Sequence, residues 1–181
     1  AAELARQEAA AGDDASMRML LGAESTGALI AEELLHVGLP WSASEHDRLL
    51  REALGPRPIA GRPARLQALA EEVDAHLGQH VSIDSAPELL RALRAAGLDV
   101  RSTSRWELRD VDHPVVAPLI EYKRLYRLWT ANGWQWADEW VQGCRFHAEY
   151  VPAGVVTGRW ATAGGGAMQI AKQVRGAVVA D

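Results

Sequence analysis

Seventeen arginines and two lysines, Lys123 and Lys172, carry the cationic chemistry of this 181-residue chain. Lys123, Arg124 and Arg127 stand close together, and Lys172 and Arg175 stand close together further on. Distributed cations of this kind suit phosphate oxygens, which call for charge rather than a reading of base edges. Thr157-Gly158-Arg159 sets a guanidinium directly after a small, flexible residue, but three such residues alone read as ordinary surface. His76 and His80 have the i, i+4 spacing of a metal-ligating pair. Gly78 between them ends the helix and no third ligand is evident, so they read as a solvated pair. Gly164-Gly165-Gly166 lacks the Gly-Lys-Ser/Thr of a phosphate-binding loop and reads as a flexible connection. His147 reads as a packed or surface histidine. Cys144 is the single cysteine, which excludes an internal disulfide and a cysteine-rich metal site and fits a reducing cytoplasm.

The net charge of −5 does not favour a polyanionic partner, but the charge is unevenly spread. Residues 1–84 carry 14 acids against 7 bases, and residues 85–181 carry 10 acids against 12 bases. Local patches, not the total, decide where a polyanion docks. No run of 18 apolar residues occurs and no charged-then-apolar leader opens the chain, so neither a membrane span nor a secretory signal is expected. Ala177 to Ala180 reads as a strand, cut off at Asp181, and the chain begins without an initiator Met. A piece of a longer protein is therefore expected.

The elements that must position these residues are mostly helical. Ala1–Ala11 reads as a helical stub ending at Gly12-Asp13-Asp14. Met17, Leu20, Leu21, Ala28, Ala31, Leu34 and Leu35 mark a long amphipathic helix stopped by Gly38 and Pro40. A helix near Glu45–Leu54 ends at Gly55, a proline-rich loop follows to Pro63, and Leu66, Leu69, Val73 and Leu77 mark the next helix. Arg57, Arg62 and Arg65 around that loop read as solvated. Ser85-x-x-Glu88 and Ser104-x-x-Glu107 are capping-box patterns. Pro114 opens the clearest helix, where Val115, Leu119, Tyr122, Tyr126 and Trp129 form one stripe that reads as core. Cys144, Phe146, Ala148 and Tyr150 then alternate with polar residues, as in a strand. The fold class expected is mainly α with a small β portion, a helical bundle feeding an incomplete antiparallel sheet.

The most specific signal is a series in fixed order. Gly143-Cys144-Arg145-Phe146-His147 is followed by Thr157-Gly158-Arg159, then Met168-Gln169-Ile170, then Val174-Arg175-Gly176-Ala177-Val178-Val179-Ala180. This series resembles the start of the palm in family A (DNA polymerase I-like) DNA polymerases. Upstream, His113-Pro114 through Leu125 resembles that family's thumb-to-palm helix, Ser82-Ile83-Asp84-Ser85 through Leu89 one of its thumb helix starts, and Glu24 to Gly38 its first thumb helix. The resemblance covers about residues 20–181. Val151-Pro152 stands where the family has Asn-Gln, and Met168-Gln169-Ile170-Ala171 where it has Leu-Gln-Asn-Ile-Pro. These departures fit a divergent branch of bifunctional 3′–5′ exonuclease/DNA polymerases.

The resemblance implies three segments: residues 1–16 as the end of an exonuclease-like domain or linker, 17–141 as the thumb, and 142–181 as the first palm strands. It implies primer–template DNA and deoxynucleoside triphosphates as partners, no membrane, action as a monomer, and a cytoplasmic, nucleoid-associated location. The minor groove presents equivalent acceptors on every correct pair. The family sets the arginine matching Arg159 on such acceptors, after Thr157 and Gly158, and a glutamine matching Gln169 near the template strand. Lys123, Arg124, Arg127, Lys172 and Arg175 would then hold phosphates. Two Mg²⁺ ions are implied for the intact enzyme, on aspartates beyond this chain, with Asp181 not one of them. No catalytic or metal-ligating residue is expected within residues 1–181. The alternative is a non-catalytic helical DNA-binding or scaffold protein.

Overall fold

The computed structural model describes residues 2–180, so the reading of Asp181 lies outside the described residues. The chain is mainly α with a small β portion, as the periodicities predict. No described helix is long and apolar enough to cross a membrane. The chain divides into two compact units, one formed by residues 1–45 with 135–181 and the other by residues 46–134. This division differs from the borders expected at 16/17 and 141/142, because the first long helix packs with strands from the C-terminal part.

In the first unit, α1 (Ala2–Ala11) leads into α2 (Ala15–Val37). Asp14 caps α2, its carboxylate accepting from the amides of Ser16 and Met17 at 2.9 and 3.1 Å. Helix α2 ends at Gly38, whose φ of 72° and ψ of 164° suit only glycine. A Cβ there would also stand 2.8 Å from the His147 ring. Among the residues of α2 only Ala31 is fully buried, while Met19, Ile30, Leu34 and Val37 share one face and remain exposed. Of the expected stripe, Ala31 is buried and Leu21 and Leu35 are half-buried, while Met17, Leu20, Ala28 and Leu34 stay exposed.

Strands β1 (Leu39–Pro40), β2 (Val141–Gln142) and β3 (Arg145–Phe146) make an antiparallel sheet in the order β1-β3-β2. A second antiparallel pair joins β4 (Glu149–Val151) to β5 (Ala161–Gly164). The alternation from Cys144 to Tyr150 is therefore not one strand. Strand β3 ends at Phe146; the His147 amide still donates to the Trp140 carbonyl at 3.0 Å, and its Nδ1 lies 2.8 Å from the Leu35 carbonyl oxygen. Arg145 donates to the Gly38 carbonyl at 3.1 Å, so both side chains close the C-terminal end of α2, where cations are favoured. The Gly-Arg-apolar-His strand is thereby structural.

Phe146 sits in an aromatic cluster with Trp41 and Trp136, ring centroids 5.7 and 4.8 Å away. The Trp136 indole donates to the Gly165 carbonyl at 2.8 Å. A Cβ on Gly164 would collide with the Trp140 ring, and one on Gly165 would lie 3.0 Å from Phe146. Gly164 and Gly165 are packed against aromatic faces, which corrects the reading of these two as a flexible connection; a Cβ on Gly166 would meet nothing within 4 Å. Two 3-10 helices, η1 (Ala167–Gln169) and η2 (Lys172–Ala177), then close the chain. Residues 177–180 do not form the expected strand; Val178 makes a single bridge with Trp41.

Two helices carry the chain between units, α3 (Ala43–Leu54) and α8 (Trp134–Trp140). The second unit packs α4 (Ala64–Leu77) on α7 (Val116–Asn132), beside α5 (Ala86–Ala95) and the short α6 (Arg105–Leu108). Leu66, Leu69 and Val73 of α4 and Leu119, Tyr122 and Leu125 of α7 are buried, as the helical stripes require. Each such side chain contributes about 1.5–3 kcal/mol by leaving water. The Tyr122 hydroxyl donates to Asp84 at 3.0 Å, and Arg62 pairs with the same carboxylate at 2.6 Å. Arg62 is therefore engaged, not solvated, and ties the proline-rich loop to α7. Ser104 caps α6, accepting from the Glu107 amide at 3.4 Å, whereas the Ser85 side chain caps nothing. Glu88 instead accepts from the Ser82 amide at 3.0 Å.

Candidate nucleic-acid interface

Thr157-Gly158-Arg159 lies in the loop joining β4 to β5. A turn closes there with the Gly158 amide donating to the Val155 carbonyl at 2.8 Å, and Gly158 has a φ of 75°. That φ belongs to the left-handed region, so the glycine is what permits the chain to swing Arg159 outward. All three residues are exposed. Arg159 donates from Nε to the Thr157 hydroxyl at 3.4 Å and has no carboxylate partner among the described residues. Thr157 thus leans the guanidinium toward one side of the loop while its outer nitrogens remain available to an acceptor.

Gln169, Lys172 and Arg175 follow β5 on η1 and η2, and all three are exposed. Arg175 donates from Nε to the Ile170 carbonyl at 3.1 Å, which binds η2 to the end of η1. Hence Gln169, Lys172 and Arg175 share one short segment, joined to the Thr157–Arg159 loop through β5.

The remaining cations belong to α7 in the second unit. Arg127 is exposed. Arg124 grips Glu121 with two bonds of 2.7 Å, an arrangement that lowers the Glu121 pKa and raises that of Arg124. Lys123 is half-buried, and its ammonium donates to the Thr103 carbonyl. Burial lowers its pKa. Phosphate contact by Arg124 would have to share the guanidinium with Glu121, and contact by Lys123 would have to come from the Thr103 side.

His76 lies 3.9 Å from Glu72 and His80 2.6 Å from Asp74, so each histidine of the spaced pair faces its own carboxylate. No group of three His, Cys, Asp or Glu able to hold a metal occurs among the described residues. Two features escape the sequence reading. The Arg62–Asp84–Tyr122 network joins residues far apart in the chain, and no local pattern signals it. The segment Arg101-Ser102-Thr103-Ser104-Arg105, two cations flanking three hydroxyls, faces Lys123 and is visible as local composition. No protein-family model matches this chain, and no curated protein matches it.

Proposed function

We propose that this chain is the thumb and opening palm portion of a DNA-directed DNA polymerase of the family A type, which grips primer–template DNA during template-directed nucleotidyl transfer. The observation that carries the reading is the ordered series ending in Thr157-Gly158-Arg159, Gln169 and Arg175. The exposed turn at Gly158, with a guanidinium that has no carboxylate partner among the described residues, suits such a role. Arg159 donates to a minor-groove acceptor at the primer end, Gln169 approaches the template strand, and Lys172, Arg175, Arg127 and Lys123 meet phosphates. Arg124 does so with Glu121 as its second partner. Deoxynucleoside triphosphates are the second substrate, and the protein works as a monomer near the nucleoid. Aspartates outside residues 1–181 would hold Mg²⁺, which would supply activation of the primer 3′-hydroxyl and stabilisation of the leaving pyrophosphate. The residues of this chain hold and orient the duplex end.

A scaffold role is the second reading, favoured by the exposed face of α2 with Met19, Ile30, Leu34 and Val37. Titration of the 181-residue chain with a fluorescent primer–template at several salt concentrations separates the two. Weak, sequence-independent binding whose affinity falls steeply with salt supports the polymerase reading. Binding that ignores salt, selects one sequence or is absent supports the scaffold. The chain alone should extend no primer with any metal.

A further inference from the structure

Helix α2 is anchored along one side. Gly27 brings it against the β4–β5 hairpin, where a Cβ would meet Pro152 at 3.4 Å and the Trp160 ring at 3.7 Å, and Ala31 on that side is buried. At 3.6 residues per turn, Met19, Ala23, Leu34 and Val37 all fall within about 40° of the line along the helix through Ile30. All five are exposed, Met19 to 75%. The stripe spans about five turns of helix, and an apolar surface of that extent marks a place where another molecule sits.

The charge around the stripe is one-sided. Residues 2–37 hold seven acids and two bases. Both bases are engaged within that segment, Arg6 with Glu3 and Arg18 with Asp13. Glu33 stands on one flank of the stripe, one turn from Ile30 and Val37, and Glu24 on the other, one turn beyond Leu20. Both glutamates are exposed, and neither has a cation partner among the described residues.

These carboxylates select the occupant. A second copy would set acidic flanks against acidic flanks, and nucleic acid meets the same repulsion. Helices that lie in a lipid surface carry lysine and arginine on the polar face, the reverse of α2. A basic amphipathic helix matches both halves, with apolar residues at helical spacing for the stripe and cations for the flanks. We infer that α2 is a docking face for a basic amphipathic helix of a partner protein, laid along Met19, Ile30, Leu34 and Val37 with its cations on Glu24 and Glu33. This goes beyond the polymerase reading: none of these residues is placed against DNA, so either can fail while the other stands.

Fluorescence anisotropy tests it on the 181-residue chain with a labelled synthetic helix of about 21 residues, leucine along one face and lysine on the flanks. Salt of about 0.15 M screens charges more than about 8 Å apart and leaves the contact itself. The basic peptide should bind, and its twin with glutamate for lysine should bind at least about tenfold more weakly. Ile30→Gln, a good helix former at an exposed position, should weaken binding roughly tenfold. Leu34→Gln should do the same, and circular dichroism shows which variants keep the fold. Glu33→Lys should weaken the basic peptide roughly three- to tenfold and strengthen the acidic twin. Glu32→Lys reverses the neighbouring charge on the far side of the helix and should change binding less than about twofold. Equal losses in Glu32→Lys and Glu33→Lys would show bulk attraction without a site and overturn the proposal. So would equal binding of the two peptides, or binding of neither. Sedimentation of the wild type as a dimer that Ile30→Gln dissociates would give the face to a second copy. Binding to neutral phosphatidylcholine vesicles that Ile30→Gln abolishes would give it to lipid, and either result overturns the partner helix.

Discussion

Tyr122→Phe removes one hydroxyl and leaves the ring in place between α4 and α7, which makes it a clean probe of the Arg62–Asp84–Tyr122 network. Tyr122 is 1% exposed and donates to Asp84 at 3.0 Å, so the deletion leaves a carboxylate with one partner fewer. A hydrogen bond to a charged group contributes about 1.5–3 kcal/mol. The Asp84 and Arg62 side chains are 29% and 34% exposed, so water replaces part of what is lost. A cost of about 1–2 kcal/mol follows, or about 2–8 °C in Tm for a chain of this size. In a double-mutant cycle with Asp84→Asn, the two changes should couple by about 1 kcal/mol. The pH dependence has a defined sign. Burial first, then the bond to Asp84, raises the Tyr122 pKa above its ordinary value near 10. The neutral phenol is the form the fold holds, so this stability is complete below pH 10 and is lost as pH rises beyond it toward the raised value. Urea denaturation of wild type and Tyr122→Phe from pH 8 to 11 measures both effects. The raised Tyr150 and the lowered Lys123 are common to both proteins and cancel in the difference. Coupling below about 0.3 kcal/mol, or equal alkaline slopes in the two proteins, would refute the network.

Gly38→Ala should destabilise the first unit by about 2 kcal/mol or more, because alanine must adopt a φ of 72° and meet the His147 ring; calorimetry reads this directly, and an unchanged Tm would contradict it. His46 is buried with Nε2 lying 2.9 Å from the Asn132 carbonyl oxygen, and burial lowers its pKa against the raising influence of that carbonyl and Asp47. The neutral ring is favoured, so stability is complete above the ordinary histidine value near 6.5 and falls as pH drops below it. Denaturation at pH 7.5 and 5.5 should show a smaller acid loss for His46→Gln than for wild type.

The helices were legible because their punctuation is local. Gly12, Gly38, Gly55 and Gly78 stop helices where a positive φ ends each pattern, and the stripe from Val115 to Trp129 announces its buried face. The strands were less legible, since two short sheets meet where one alternation runs. Only the Leu35 carbonyl at the end of α2, more than a hundred residues earlier, explains where the His147 ring sits. Gly164 and Gly165 look like a loose linker until Trp140 and Phe146 are seen against them. Of the candidate site, the exposure of Arg159 is readable from Thr-Gly-Arg, because glycine marks the turn. The engagement of Lys123 with Thr103 is not, since it depends on how α7 packs beside residues 101–105.

Primer extension by a protein that carries this chain together with the proposed catalytic aspartates, wild type against Arg159→Ala, is the most direct test of the polymerase reading. A charge-assisted bond made at the primer end contributes about 1.5–3 kcal/mol, so extension should slow roughly ten- to hundredfold while overall DNA affinity changes much less. Arg159→Lys should rescue only in part, because an ammonium lacks the planar fork. A primer-terminal purine without its N3 acceptor should slow the wild type and leave Arg159→Ala nearly unaffected. Extension by Arg159→Ala at the wild-type rate would contradict the reading and return Thr157-Gly158-Arg159 to the ordinary surface of the fold.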